Sequence, residues 1–170
     1  MALFRGLSGR LLVLTVLVVM LVEVAIFVPS VARFRADYLY ERVVRAQIAS
    51  LSVLAAPDEM VSEELQHRLL ERTEALNIVL HREGTRTLVL SRDDMAEVTA
   101  TFDLREMNAG GMIYDAFARL LSGGNYVIRV IAAPSIMGSD AIEITLDSGP
   151  LRAAMIDYGW RILRLSLIIS

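Results

Sequence analysis

Residues 11–28, LLVLTVLVVMLVEVAIFV, form an 18-residue apolar run that carries one charge, Glu23. At about 1.5 Å per residue this makes a helix of about 27 Å, close to the thickness of a bilayer's hydrocarbon core. Beyond Pro29 the spacing becomes that of an amphipathic helix. Val31, Phe34, Tyr38, Ile48 and Leu51 recur with no Gly or Pro between residues 31 and 55, and Pro57 closes the run. Ser62 followed by Glu63 and Glu64 signals a helix start, with Leu65, Leu69 and Leu70 as its buried stripe. Residues 76–81 and 85–90 are short β-branched runs around Glu83-Gly84, a hairpin signal. Val98, Ala100, Phe102 and Leu104 alternate with Thr99, Thr101 and Asp103, which predicts a third, half-buried strand.

Residues 107–121 place Ile113, Phe117, Leu120 and Leu121 on one helical face, ended by Ser122-Gly123-Gly124-Asn125. Two more strands follow at 126–132 and 141–146. Asp147-Ser148-Gly149-Pro150 opens a last helix, with Pro150 in the first turn, where its missing N–H is harmless. That helix runs into WRILRLSLIIS. The rising apolar content predicts the start of a second membrane helix at 158–170, with Tyr158 and Trp160 as anchors at the lipid interface. The alternative is an amphipathic helix on the domain's own core. The chain thus divides into a cytoplasmic tail (1–10), a transmembrane helix (11–28), an extracytoplasmic domain (29–157) and the beginning of a second membrane helix. Short turns between strands predict an α+β domain whose antiparallel sheet has about five strands and is flanked by long N- and C-terminal helices.

Composition sharpens this picture. Apolar residues make up 55% of the 170, and the mean hydropathy of +0.50 is high for a soluble protein of this size. Membrane lipid is therefore an expected partner. Residues 29–157 hold 13 Arg and 19 acids, the balance of a solvated domain. All 17 basic residues are Arg, scattered among 20 acids without a basic cluster, which argues against nucleic acid. There is no Cys, so disulfides, thiolate metal sites and cysteine nucleophiles are excluded. Arg5, Arg10 and the terminal amine favour a cytoplasmic N-terminus, a preference weakened by Arg33 and Arg35 on the far side. Ser30-Val31-Ala32 has the small-x-small form of a signal-peptidase site. The competing reading is a secreted binding protein cleaved after Ala32, although the apolar run exceeds the usual signal-peptide core.

Candidate chemistry is sparse. His67 lacks the following acid and the proline four residues beyond that a phosphoacceptor box requires; Arg68 and Glu71 stand there. His81 has no second histidine at metal spacing, and Asp93-Asp94 lacks the further oxygen ligands of a calcium loop. Gly110-Gly111 and Gly123-Gly124 match no phosphate-binding loop. No catalytic residue, cofactor site or metal site is expected. Arg105 and Arg129 are the candidate ligand-binding residues, since an arginine facing a pocket holds a carboxylate or phosphate bidentately. Counting six residues inward from Pro29 and from Tyr158 places Glu23 level with Arg164, a candidate pair within the membrane.

Two stretches, EVAIFVPSVARFRADYL at 23–39 and the block from RVIAAPS to AIEITLDSGPLRAAMIDYGWRILRLSLIIS at 129–170, resemble the N-terminal input region of alphaproteobacterial HAMP-containing sensor histidine kinases. The domain is similar to the PAS-like or Cache-like domains that bacterial receptors hold between two membrane helices. The resemblance implies the periplasmic sensor of a two-component system in the inner membrane, a homodimer responding to an unknown periplasmic signal. The HAMP and kinase domains would lie beyond residue 170, and a cytoplasmic response regulator would be reached only through that kinase. The same architecture also serves cyclases, phosphodiesterases and chemoreceptors.

Overall fold

A computed structural model of the chain describes residues 7–55, 62–82, 85–92, 97–122, 124, 126–134 and 140–169. Glu83-Gly84, Asp93-Asp94, Pro57, Gly123, Asn125 and most of the loop before Asp140 lie outside them. The order is α1 (Leu7–Leu54), α2 (Glu63–Thr73), β1 (Asn77–Arg82), β2 (Thr85–Ser91), β3 (Val98–Asp103), α3 (Ala109–Ser122), β4 (Val127–Ala132), β5 (Ala141–Asp147) and α4 (Ser148–Ile169).

The membrane-like run and the amphipathic run are one helix. α1 has 48 residues and is about 72 Å long at 1.5 Å per residue. Its most apolar 18-residue window has a mean hydropathy of 3.1 and no buried residue, making it long and apolar enough to cross a membrane. It is the one such helix among the described residues. Pro29 lies inside it, where the missing N–H leaves the Ala25 carbonyl without its helical donor. Beyond Pro29 the helix becomes the spine of the folded domain. Val31, Ala32, Leu39, Val43, Ala46, Ala49 and Val53 are buried. Ile48 and Leu51, expected on this face, are 62% and 49% exposed. The buried stripe uses small residues there instead, which let the helix approach β4 and β5 closely.

The sheet order is β2-β1-β5-β4-β3. Ile78, Leu80, Ile128, Val130, Ile142, Ile144 and Leu146 join the α1 stripe in one core. The sheet is mixed rather than antiparallel throughout. β1–β2, β1–β5 and β4–β5 are antiparallel, but β3 and β4 run parallel. The reason is α3: a helical connection carries the chain back to the end from which it started, so the next strand runs the same way. α3 also packs on α1. It does so through Ala116, Ile113, Phe117 and Leu120, while Leu121 is 82% exposed. The start of α2 is as the sequence predicts. The Ser62 hydroxyl accepts from the Leu65 N–H at 3.4 Å, and Leu70 is buried while Leu65 stays out.

Candidate functional site

α4 returns alongside α1, and the two meet through a seam that crosses the boundary between the folded domain and the apolar segment. Ser148, Leu151, Met155 and Gly159 are buried, spaced three or four apart on one face, and Ile162 and Ser166 continue the same line. Near the domain, Phe34 stacks on Tyr158 with ring centroids 4.3 Å apart. At the next residue of α4, facing Phe27 two turns before Phe34 on α1, a side chain on Gly159 would meet the Phe27 ring at 3.5 Å, an ordinary contact that marks how closely the helices approach. Deepest, the Ser166 hydroxyl donates to Glu23 Oε1 at 2.7 Å.

Glu23 therefore meets α4, but its partner is Ser166. Arg164 lines the groove beside them with Trp160 and Leu167 and forms no ion pair with Glu23. Counting depth along a helix ignores rotation. Two residues apart on a helix is about 200° around the axis, so Ser166 and Arg164 cannot both point at Glu23; Ser166 sits in the seam and Arg164 on its flank. Trp160 is 59% exposed on that flank, whereas Tyr158 is partly buried against Phe34.

The two candidate ligand arginines are both engaged within the domain. Arg105, just past β3, folds back on Asp103, with Nε 2.9 Å from Oδ1 and Nη2 2.6 Å from Oδ2. These hydrogen bonds hold the Asp103 carboxyl below its usual range. Arg129 points from β4 onto the sheet face opposite the helices. There its Nε lies 2.9 Å from Glu143 Oε1, close but not aligned as a hydrogen bond. His81 Nε2 lies 3.2 Å from the other Glu143 oxygen. Glu143 is 6% exposed, so the outer face carries a buried carboxylate between a guanidinium and an imidazole. Sequence reasoning passed over Glu143 because an acid inside a strand reads as its wet face; the four apolar residues around it in AIEITL were the available signal. His67 stands exposed on α2.

Arg35 was also missed as a buried residue. It is 2% exposed inside the α1 stripe, with its guanidinium carbon 4.1 Å from the centre of the Phe102 ring. Its place four residues before Leu39 on the helix face was the signal. No protein family, curated protein or solved structure matches the chain.

Proposed function

We propose that the chain is the extracytoplasmic sensing and transmembrane signalling module of a bacterial inner-membrane receptor, a PAS-like or Cache-like domain held between two membrane helices. The single observation that carries this is the continuity of α1. One continuous helix has an apolar 18-residue window with no buried residue in its first half and buries one face as the spine of the α+β domain in its second. A rearrangement of the core therefore moves the helix that crosses the bilayer, and the α4 seam makes the pair a lever with two packings. The helix between β3 and β4 departs from the usual PAS order, so the reading rests on the lever and not on the sheet.

The output of such a receptor is of the sensor histidine kinase kind, carried on the C-terminal side of α4, and the receptor works as a homodimer. An exposed stripe on the back of α1, with Tyr40, Ile48 and Leu51 between 49% and 62% exposed, supports contact between copies. Retention of the N-terminal helix is supported by Val31 and Ala32, which are 3% and 4% exposed in the core; cleavage after Ala32 would cut that packing.

The chain has no cysteine, so single introduced ones report cleanly. In intact spheroplasts, Tyr114→Cys and Glu64→Cys are expected to react with a membrane-impermeant maleimide, and Ser8→Cys to react only after lysis. The reverse pattern overturns the topology. A membrane-fraction protein whose N-terminus is Arg33 removes the receptor reading in favour of a secreted one.

A further inference from the structure

Three arginines line one recess in the domain. Arg35 enters it from α1, Arg119 from the last turns of α3 and Arg152 from the beginning of α4, with Tyr126, Ser148 and Leu151 completing the wall. As it stands the recess is tight, about 10 Å³, room for one water molecule, so a larger occupant needs a side chain to move.

Arg35 is the deep member. It makes no hydrogen bond or ion pair with any described residue; the Phe102 ring covers one of its faces, and the buried Nε has no acceptor. The Nε atoms of Arg35 and Arg152 are both shielded from solvent and without an acceptor. Arg119, partly buried, stands 5.9 Å from the Phe102 ring centre and 5.5 Å from that of Tyr126. Asp115, one turn before Arg119, is the acid that acts on Arg35, and it does so at a distance. Burial lowers the Arg35 pKa, Asp115 and Tyr126 oppose that, and Arg119 adds to the lowering. Arginine nevertheless keeps its proton in proteins, so this is a permanent cation in a place where an unpaired charge is costly.

A buried cation with free donors, crowded by two more, is the arrangement an incoming anion relieves. A carboxylate offers two oxygens in one plane, with a single edge that matches a bidentate guanidinium; a phosphate group offers up to four oxygens around a tetrahedron and can engage several forks from different directions together. We infer that the recess formed by Arg35, Arg119 and Arg152 binds a phosphate group, the partly buried Arg119 side chain shifting to admit it and then pairing with it. Arg35 lies six residues beyond Pro29 and Arg152 six before Tyr158, about 9 Å from the apolar segments along each helix. The group is therefore either a soluble phosphate or the headgroup of a lipid in the adjoining leaflet. The lipid source rests on the membrane reading above; the soluble one does not.

The test uses the full chain in maltoside micelles, which contain no phosphate, with thermal unfolding followed by far-UV circular dichroism. Inorganic phosphate is added against chloride at equal ionic strength, and in a separate arm phosphatidylglycerol is mixed into the micelles. At a tenfold excess over its dissociation constant, a bound anion is expected to raise the melting temperature by roughly 3–6 °C. A rise with inorganic phosphate identifies a soluble ligand, and a rise with phosphatidylglycerol alone identifies the headgroup. Arg119→Gln and Arg152→Gln are expected to remove most of the rise. Arg35→Gln is expected to abolish it while melting no lower than the parent in plain chloride, because it removes an uncompensated charge. No rise in either arm, or a rise that survives in both Arg119→Gln and Arg152→Gln, overturns the site. So does an Arg35→Gln chain that melts lower in plain chloride, since that shows a structural arginine. None of these outcomes depends on signalling, so failure here leaves the receptor reading to its own topology test.

Discussion

Phe34 of α1 and Tyr158 of α4 lie face to face, with ring planes 10° from parallel and centroids 4.3 Å apart, at the point where the folded domain gives way to the apolar segments. In the proposed lever, this is where stiffness is needed. Any shift between the helices must slide or unstack these rings before it reaches Phe27 and Gly159.

The stack predicts energetic coupling between the two positions. In a double-mutant cycle with Phe34→Leu and Tyr158→Leu, the coupling is expected at about 0.5–1.5 kcal/mol in denaturant unfolding of the full chain in micelles. Additive losses would mean the rings are mere neighbours.

Arg129 and Arg105 look alike in the sequence and are predicted to behave differently. Arg129→Ala removes a cation from beside Glu143, whose side chain is 7% exposed, and is expected to destabilise by about 1–3 kcal/mol. Arg105→Ala opens a pair that is 41% exposed on its arginine side, where water screens the charges, and is expected to cost clearly less. Urea unfolding of the two variants decides it. Equal small losses would show that Glu143 is held by its other neighbours, leaving Arg129 free for a ligand.

The contrast shows what a sequence carries and what it hides. The periods of two and of three to four place the five strands and α3 to within a residue or two, because they follow from local geometry: the alternation from Val98 to Leu104 becomes β3, and Ser62 becomes a cap. Pairing direction is not local. The parallel run of β3 beside β4 follows from which end of the sheet α3 returns to, and no residue type records that. Burial by small residues is also weakly written, since Ala46, Ala49 and Ser50 sit in the core while the more apolar Ile48 and Leu51 face out. The arginines fared worst, because Arg35 reads as a solvated charge until the face it shares with Leu39 and Val43 is known to be covered.

The same limitation governs the seam, where depth along the helices was legible and rotation was not. Burying an unpaired charge at mid-membrane costs roughly 2.5–3.5 kcal/mol on insertion scales, so the donor that Glu23 finds matters to how the helices associate. The structure supplies the Ser166 hydroxyl at 2.7 Å. Such contacts between membrane helices contribute about 0.6 kcal/mol on average and up to about 1.7. Ser166→Ala is expected to weaken the α1–α4 seam by an amount in this range, read as a loss in denaturant stability of the full chain in micelles. Arg164→Ala, on the flank, is expected to have a smaller effect. Gly159→Ala should be neutral or stabilising by up to about 1 kcal/mol, because the added methyl finds the Phe27 ring at 3.5 Å and the helix gains propensity. Gly159→Leu should splay the helices and cost more than Ser166→Ala, since the larger side chain has no room at that contact. An Arg164→Ala loss equal to or greater than that of Ser166→Ala would show that the guanidinium, not the hydroxyl, holds Glu23, and that α4 sits rotated by about half a turn from the arrangement described.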